Sequence, residues 1–299
     1  MAKMNWTVIK VPYGGGYCSL NLAKLKNTRK APEALHREFM RQRIFMADNG
    51  ISSWDNIAWH EMDSVLGCQN NVDGWEKMHK SVTSYLRVLN LNWGFDTNVL
   101  FLGGSHSITA STYIRTLSEF GHQKTGLIIL DAHPDCCHKA DWPIHSDWLR
   151  WLVEKRYVPP ENVLIIGLRQ IEKSEKEFLD RFNIGRYRMN SLKHIDDFTT
   201  NNLSVFFALK RFRKLAATYL SIDIDVASGA YAPGTGCPSP GGLTDTELIN
   251  LVKQLKVALP NLKAADIVEI NPLNWWRKKI LRYDATVDLG VKLIKEIIS

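Results

Sequence analysis

Nothing in this sequence supports a disulfide framework. Its five cysteines, Cys18, Cys68, Cys136, Cys137 and Cys237, are odd in number and include no C-x-x-C pair. The neighbours Cys136 and Cys137 cannot easily bridge each other, so the usage fits a reducing compartment. No run of about 18 apolar residues occurs, which excludes a membrane-spanning helix by sequence. The opening Met1-Ala2-Lys3-Met4-Asn5-Trp6 lacks the apolar core of a secretory signal, and a cytoplasmic protein is expected. Low-complexity linkers and internal repeats are missing too, so residues 1–299 read as a single domain. A concentrated basic face is also lacking. The formal charge is +7, but Lys and Arg are spread along the chain. The densest runs are Arg41-Gln42-Arg43, Lys210-Arg211-Phe212-Arg213-Lys214 and Arg277-Lys278-Lys279, each at a predicted helix or helix end. Solvated helix faces account for them, and no nucleic-acid partner is expected. Trp275 and Trp276 beside the last run read as buried or subunit-contact residues rather than as base-stacking platforms.

What is present is an alternation of two kinds of segment. Short runs rich in Val, Ile and Leu span residues 7–11, 99–102, 126–130, 162–166, 216–224 and 264–270. Most lack polar alternation, as strands buried on both faces of a parallel sheet do. Amphipathic stretches of helix length lie between them, at 75–91, 107–120, 146–155, 172–182, 202–214, 244–258 and 285–298. Thr244 with Glu247 fits a capping box, and Pro32 suits a helix start. Residues 48–72 show little periodicity and read as a long loop with short helical pieces. The pattern predicts a three-layer α/β/α fold with a mostly parallel sheet. In such sheets functional groups gather where strands end.

Four of the predicted strands end in ionisable residues. They run into Gly103-Gly104-Ser105-His106-Ser107, Asp131-Ala132-His133-Pro134-Asp135, Ser221-Ile222-Asp223-Ile224-Asp225 and Glu269-Ile270-Asn271-Pro272. Alternation along a strand predicts that Asp131 and His133 point together, and likewise Asp223 and Asp225. Carboxylates at this density repel strongly when desolvated and need positive charge among them. Divalent cations supply it. Two imidazoles and four carboxylates, from His106, Asp131, His133, Asp135, Asp223 and Asp225, suit a borderline-hard ion such as Mn²⁺ better than a thiolate zinc site.

These motifs resemble those of the ureohydrolase family, which includes arginase, agmatinase, guanidinobutyrase and formimidoylglutamase. The family's G-G-D-H-S is similar to Gly103–Ser107, and its D-A-H-x-D appears intact from Asp131 to Asp135. Its S-x-D-x-D, P-x-T-G-x-P and G-G appear at Ser221 to Asp225, Pro233 to Pro238 and Gly241-Gly242. Its E-x-N-P is matched by Glu269 to Pro272. A Gly-rich turn at Tyr13-Gly14-Gly15-Gly16 and the helix start Ala31-Pro32-Glu33-Ala34-Leu35 are similar as well. The resemblance implies an arginase-like fold and two Mn²⁺ per chain. One would be held by His106, Asp131, Asp135 and Asp223, the other by Asp131, His133, Asp223 and Asp225, with Asp131 and Asp223 shared. It implies that Asp135 orients a water made nucleophilic by the metals, and that Glu269 pairs with a guanidinium. His145 falls where the family carries a proton-shuttling histidine, with His138 as the competing candidate. A homo-oligomer, trimer or hexamer, is implied too.

The sequence departs from the family in several places. Ser105 stands where the family has Asp, and Val226-Ala227-Ser228-Gly229 replaces the usual x-x-D-P. Arginases follow D-A-H-x-D with Asn, Thr and Ser that grip a substrate carboxylate; here the loop reads Cys136-Cys137-His138-Lys139-Ala140-Asp141-Trp142. Lys139 can still meet an acidic group. Glu172 and Glu175, after Gly167-Leu168-Arg169, stand at spacings similar to those of the arginase acids that hold the α-amino group, which implies binding of the amine end of a cationic substrate; the alternative is a first helical turn, which favours acids. Cys136 and Cys137 read as space-filling residues. The expected activity is therefore hydrolysis of a small guanidino or amidino compound, agmatinase-like or another guanidine hydrolase. Arginase comes next and formimidoylglutamase third, because the latter's Gly-Gly-Gly-His-Glu does not match Ser107. A deacetylase on a related fold would need adjacent histidines, which do not occur. The alternative of another class is a non-catalytic metal-binding regulatory protein on the same scaffold.

Overall fold

The computed structural model describes residues 5–17, 27–48, 57–62, 71–89, 93, 97–192, 203–273 and 284–299. Its strands are β1 (Asn5–Val11), β2 (Ala58–Glu61), β3 (Thr97–Gly103), β4 (Thr125–Leu130), β5 (Val163–Leu168), β6 (Gly185–Arg188), β7 (Ala217–Asp223) and β8 (Leu262–Val268). They form one eight-stranded sheet in the order β2-β1-β3-β8-β7-β4-β5-β6. Every pairing in it is parallel. The helices are α1 (Ala31–Asp48), α2 (Val72–Leu89), α3 (Ile108–Phe120), α4 (Trp148–Glu154), α5 (Lys173–Arg181), α6 (Leu203–Phe212), α7 (Asp245–Ala258) and α8 (Ala285–Ile298).

Each strand sends alternate side chains to opposite faces, and the two faces bury separate apolar clusters. Leu100, Leu102, Ile128, Leu130, Leu220 and Ile222 face α1, α6, α7 and α8. Val99, Phe101, Leu127, Ile129, Val163 and Ile165 face α2, α3, α4 and α5. The architecture is thus the expected three-layer α/β/α. All residues of β4, β5 and β7 are buried, which explains why they read as unbroken apolar runs. The Thr244–Glu247 capping box forms as the sequence predicts, with Glu247 N to Thr244 Oγ1 at 3.1 Å and Thr244 N to Glu247 Oε2 at 2.7 Å.

Two strands were not legible in the apolar pattern. β2 lies within the stretch 48–72 expected to be a loop with helical pieces, and β6 was not foreseen at all. Both sit at the sheet's edges, are four residues long and are only partly buried. An edge strand of this kind carries polar residues and shows no core-facing run. Lys10 holds the β2 edge. It is nearly fully buried, and its ammonium lies 3.0 Å from Glu33 on α1 and 2.7 Å from Glu61 on β2.

The order of the sheet sets up the site. β3, β8, β7 and β4 are consecutive neighbours, so the four chemistry-bearing strand exits open side by side. The exit of β3 depends on Gly104. A Cβ there would lie 2.2 Å from the carbonyl oxygen of Tyr13 and 3.0 Å from the Arg29 nitrogen, both backbone atoms. Gly104→Ala is expected to cost about 3 kcal/mol, at the upper end for overpacking. A thermal melt reads this as a fall of several degrees, and an unchanged midpoint would show that the exit is not constrained as described.

Candidate metal centre

The loops at these exits are built by short backbone bonds. Ser105 N donates to Tyr13 O at 2.9 Å, which sets His106 at the head of α3. His106 N donates to Glu269 Oε1 at 2.7 Å, and Glu269 N donates to Gly104 O at 2.8 Å. The exits of β3 and β8 therefore clasp each other. Glu269 and Asp135 both adopt left-handed backbone, with φ of 60° and 51°. Side chains other than glycine disfavour that region, and such strain concentrates where geometry matters to function.

Asp131 and His133 do not lie on a strand, contrary to the expected alternation. β4 ends at Leu130, and Asp225 falls in a 3-10 turn after β7. Each pair is aligned by an Asx turn instead: His133 N donates to Asp131 Oδ1 at 2.7 Å, and Asp225 N donates to Asp223 Oδ1 at 2.8 Å. Ala132 N donates to Asp225 Oδ1 at 3.1 Å and joins the two turns. Arg169 braces them from behind. Its guanidinium donates to Val226 O at 2.9 Å, to Ser239 Oγ at 2.9 Å and to Asp225 O. Gly167, with φ of 110°, lets this segment pass close, since a Cβ there would sit 2.6 Å from Val226 Cγ2.

The six expected ligands come together. His106 Nδ1 lies 2.9 Å from Asp135 Oδ2, 3.2 Å from Asp223 Oδ2 and 3.3 Å from Asp131 Oδ2. His133 Nδ1 lies 2.9 Å from Asp225 Oδ2 and 3.7 Å from Asp131 Oδ1. Two groups of potential ligand atoms result among the described residues: His106, Asp131 and Asp135, and Asp131, His133 and Asp225. Asp131 turns one oxygen toward each.

A hydrogen-bond inventory shows what is missing at the centre. Ser221 Oγ lies 2.7 Å from Asp266 Oδ1 and 3.0 Å from His106 Nε2. A hydroxyl has one proton, and Asp266 takes it, so Ser221 accepts from His106 Nε2–H. In the neutral ring Nδ1 is then a bare lone pair facing three carboxylate oxygens. His106 Nδ1 and Asp131 Oδ2 are buried and have no hydrogen-bond partner. Buried acceptors facing each other are unstable without a proton or a cation between them. Atoms about 3 Å apart around one point also match neighbouring ligands of an ion bound at about 2.1 Å. The donor set therefore fits a pair of divalent cations.

The titration behaviour reports the same crowding. Burial raises the Asp131 carboxyl, and Asp135, Asp223 and Asp225 raise it further, well above the carboxylate range. Burial and Asp225 push Asp223 up to about 7. Burial disfavours charge on both histidines, yet the carboxylates outweigh it, lifting His106 well above its ordinary value and His133 to about 11. Asp225 goes the other way: burial would raise it, but His133, Ala132 N and Arg169 hold it below the usual range.

Around this centre the remaining expected residues divide. His145 is tied to the N-terminal loop, its N and Nδ1 lying 2.7 and 2.9 Å from Gly16 O. Burial lowers its pKa. His138 is exposed, and its Nε2 lies 3.4 Å from Cys137 Sγ. Glu175 is buried and works as an anchor: Oε1 accepts Cys136 N at 3.3 Å and Oε2 accepts Glu172 N at 2.9 Å. Burial pushes it up to about 7. Glu172 caps α5 and accepts Cys137 Sγ–H at 3.1 Å. Of the two cysteines expected to fill space, Cys136 is buried and Cys137 is only partly buried.

Several contributors were missed in the sequence. Trp148 donates from Nε1 to Asp135 Oδ2 at 2.7 Å and packs its ring 4.7 Å from that of His106. Tyr17 places its hydroxyl 3.3 Å from both Glu269 oxygens and 2.8 Å from Thr28 Oγ1, with its ring 4.7 Å from His145. Gln170, Ser221 and Asp266 back the two histidines. Ser221 alone carried a signal, as part of a motif.

Comparison with known proteins identifies the family. The arginase family model matches residues 6–299. The chain belongs to the arginase family. An arginase of Plasmodium berghei is 30% identical over 217 residues, covering 66% of this chain and 57% of that protein. Arginase 1 of Arabidopsis thaliana is 30% identical over 175 residues, 58% of this chain and 47% of that protein. The aligned stretch thus spans about half the length of these relatives. Among solved structures, formimidoylglutamase from Bacillus subtilis matches with a TM-score of 0.78 at 20% identity, over 99% of this chain and 86% of that one. Entamoeba histolytica arginase in complex with L-ornithine gives a TM-score of 0.77 at 18% identity, over 99% of both chains. Agmatine ureohydrolase of Thermoplasma volcanium gives 0.68 at 21% identity, over 99% of this chain and 89% of that one. These likenesses are likenesses of fold. Among the described residues no helix is long and apolar enough to cross a membrane.

The raised groups set a pH dependence for the metal-free family member. Asp131, Asp223, His106 and His133 all have folded-state pKa values above their unfolded ones. Their contribution is complete below the unfolded value and is lost as pH rises through the folded one. Between pH 6 and 8 the metal-free centre therefore loses stability through all four groups. A bound cation at about a hundred times its Kd adds roughly 2.7 kcal/mol. The rise in melting temperature on adding Mn²⁺ should be larger at pH 8 than at pH 6. An equal rise at both would contradict proton–cation competition at this centre.

Proposed function

We propose that this chain is a binuclear manganese hydrolase that cleaves a C–N bond of a small linear guanidino or amidino compound, releasing urea and an amine from a guanidine. The observation that carries the reading is the pair of ligand groups sharing Asp131, with buried acceptor atoms that no protein donor satisfies. Family membership supports it. In this reading His106, Asp131, Asp135 and Asp223 hold one cation, and Asp131, His133, Asp223 and Asp225 hold the other. Such a pair supplies Lewis acidity and hydroxide near neutral pH.

The chain's own residues then have defined tasks. Asp135, fixed by Trp148, orients the attacking water. Glu269 meets the planar guanidinium, because a carboxylate accepts two parallel N–H bonds. The His106 N–H and the Tyr17 hydroxyl hold it in place before substrate arrives. His145 donates Nδ1–H to Gly16 O, which leaves Nε2 as its basic nitrogen. That nitrogen can carry a proton to the departing amine, and burial keeps the ring neutral near pH 7.

The substrate is proposed to be agmatine-like, with a cationic or neutral tail. The Cys136–Trp142 stretch contains no Asn, Ser or Thr to grip a carboxylate. Glu172, exposed at the start of α5, is the acid left for an amine once Glu175 is committed to backbone N–H groups. Arginase remains the second reading, favoured by the 30% identity to arginases. A homo-oligomer belongs to the same proposal. The segment 275–279, expected at a subunit contact, lies outside the described residues.

The Mn²⁺-loaded protein should release urea from at least one of arginine, agmatine, guanidinobutyrate, guanidinopropionate and guanidine, or formamide or ammonia from formimidoylglutamate. No turnover with two metals bound per chain would refute the hydrolase reading. Asp131→Asn should lower activity by roughly a thousandfold, since it disturbs both cations. Glu269→Gln should act mainly on KM. His145→Asn should lower kcat about a hundredfold and flatten the acid limb of its pH profile. Unchanged turnover in Asp131→Asn or His145→Asn, or an unchanged KM in Glu269→Gln, would refute the assigned roles.

A further inference from the structure

The sheet has a second end, opposite the metal centre, where the strands begin. There the chain passes from α6 into β7 through the run Lys210-Arg211-Phe212-Arg213-Lys214. Its four cationic residues are exposed and together line one concavity of about 490 Å³. We propose that this basic cup binds a small soluble polyphosphate, an ion carrying two or three linked phosphate groups, independently of the metal centre.

Cations at a helix end commonly serve the last carbonyls and the negative end of the helix dipole. Here the backbone already takes three of those carbonyls. Leu209 O accepts Arg213 N at 3.0 Å, Arg211 O accepts Lys214 N at 3.0 Å and Phe212 O accepts Leu215 N at 3.1 Å. Asn261, just before β8, donates Nδ2 to Phe212 O at 2.8 Å and to Leu215 O at 2.9 Å. The helix end is therefore closed largely without the basic side chains. Ala216 N donates to Lys124 O at 2.8 Å, which ties the turn to the start of β4 as well. A turn held on both sides fixes where its side chains start.

Neighbouring acids do little to neutralise the cup. Arg211 reaches Asn162 Oδ1 at 3.3 Å and the exposed Glu161 carboxylate at 3.8 Å. Among the described residues no carboxylate pairs with Arg213 or Lys214. Concave walls carrying one sign of charge concentrate the potential between them and attract counter-ions.

Shape and surroundings select the ligand. Single-stranded nucleic acid is held by aromatic platforms beside the cations, and the aromatic ring of this run, Phe212, is buried. A lipid surface is held by exposed apolar residues beside them, whereas Leu209 is buried and Leu215 partly so. Guanidinium forks and ammonium groups around one concavity match clustered phosphate oxygens. The ligand leaves the metal centre open: β7 starts at Ala217, beside the cup, and ends at Asp223, so the strand separates the two by roughly 20 Å.

The test is calorimetric titration of the full-length protein, freed of metal on a chelating resin so that no anion binds through a metal ion. The probes are inorganic tripolyphosphate and adenosine triphosphate. Wild type should bind one tripolyphosphate per chain, with an affinity that falls about tenfold or more between about 50 and 200 mM salt. Arg213→Ser together with Lys214→Ser should weaken binding about tenfold at an unchanged melting temperature, because both side chains are exposed. Lys214→Ser alone serves if the pair does not fold, and should weaken it about threefold. Lys77→Ser with Lys80→Ser removes the same charge from exposed positions on α2, across the sheet, and should leave the affinity unchanged. Binding of either probe that is weakened only by the Arg213 and Lys214 changes supports the site, and the tighter probe tells an inorganic chain from a nucleotide. No binding to wild type, or equal weakening by the two double variants, would overturn the inference. Tighter binding of a single-stranded RNA or of anionic phospholipid vesicles than of both probes would overturn it too.

Discussion

Like charges confined at neighbouring strand ends are the constraint on which this structure turns. Four parallel strands, β3, β8, β7 and β4, end side by side and deliver carboxylates from Asp131, Asp135, Asp223, Asp225 and Glu269 into a buried volume. In an interior of low effective dielectric, such groups cannot all be ionised unless positive charge lies among them. Among the described residues the surrounding protein supplies little of it. Arg169 stands behind Asp225, and the two histidines turn lone pairs inward once their outer nitrogens are satisfied. The cluster is therefore unstable by itself and stable around cations. Its burial by two apolar layers makes that preference strong rather than incidental.

Holding such a cluster in register takes backbone as well as side chains. The Asx turns at Asp131 and Asp223 use Oδ1 to fix the local chain and turn Oδ2 toward His106 Nδ1. Left-handed backbone at Asp135 and Glu269 costs on the order of 1–3 kcal/mol each. The reciprocal bonds between Glu269 and the Gly104–His106 segment help offset it. The indole of Trp148 does the same for Asp135. The scaffold thus accepts local strain to aim acceptors at a common point, which a metal-free interior would have no reason to do.

The parts of this that were legible in the sequence are those written as contiguous pattern. Buried strands show as apolar runs because both faces are covered, and the six ligand positions lie inside short motifs such as Asp131 to Asp135. The helix starts at Thr244 and Pro32 follow from capping chemistry that acts over three residues. What was illegible depends on topology. Nothing local says that β8 and β7 lie between β3 and β4, so Asp266 could not be paired with Ser221, nor Tyr17 with Glu269. Trp148 is an ordinary core residue by sequence until the loop from Asp135 folds back on it. The edge strands β2 and β6 escaped notice because an edge has no need of an apolar run. The rule of alternation reached the correct conclusion at Asp131 and His133 for a wrong reason, since a turn and not a strand aligns them.

The floor of the site and its rim obey different physics, and the rim is where this chain is itself. The floor is fixed by mutual repulsion and tolerates little change. The rim is closed by its own bonds: Glu175 holds Cys136 N and the head of α5, Cys137 N donates to Ser146 O at 3.2 Å, and Asp147 accepts His138 N. With these acceptors engaged, the loop offers an approaching substrate the Glu172 carboxylate and the Lys139 ammonium rather than a row of hydroxyls. A site discriminates most sharply when its buried polar groups are left unpaired by the wrong ligand. Among the described residues of this rim most polar groups are engaged, so on the proposed reading selection among guanidines would come mainly from charge and shape. On the proposed reading a tail bearing a carboxylate would gain, among the described residues of the loop, the exposed Lys139, whose attraction is weakened by solvent. Glu172, although placed by the capping box at the head of α5, is exposed as well, so solvent weakens its attraction for an amine in the same way.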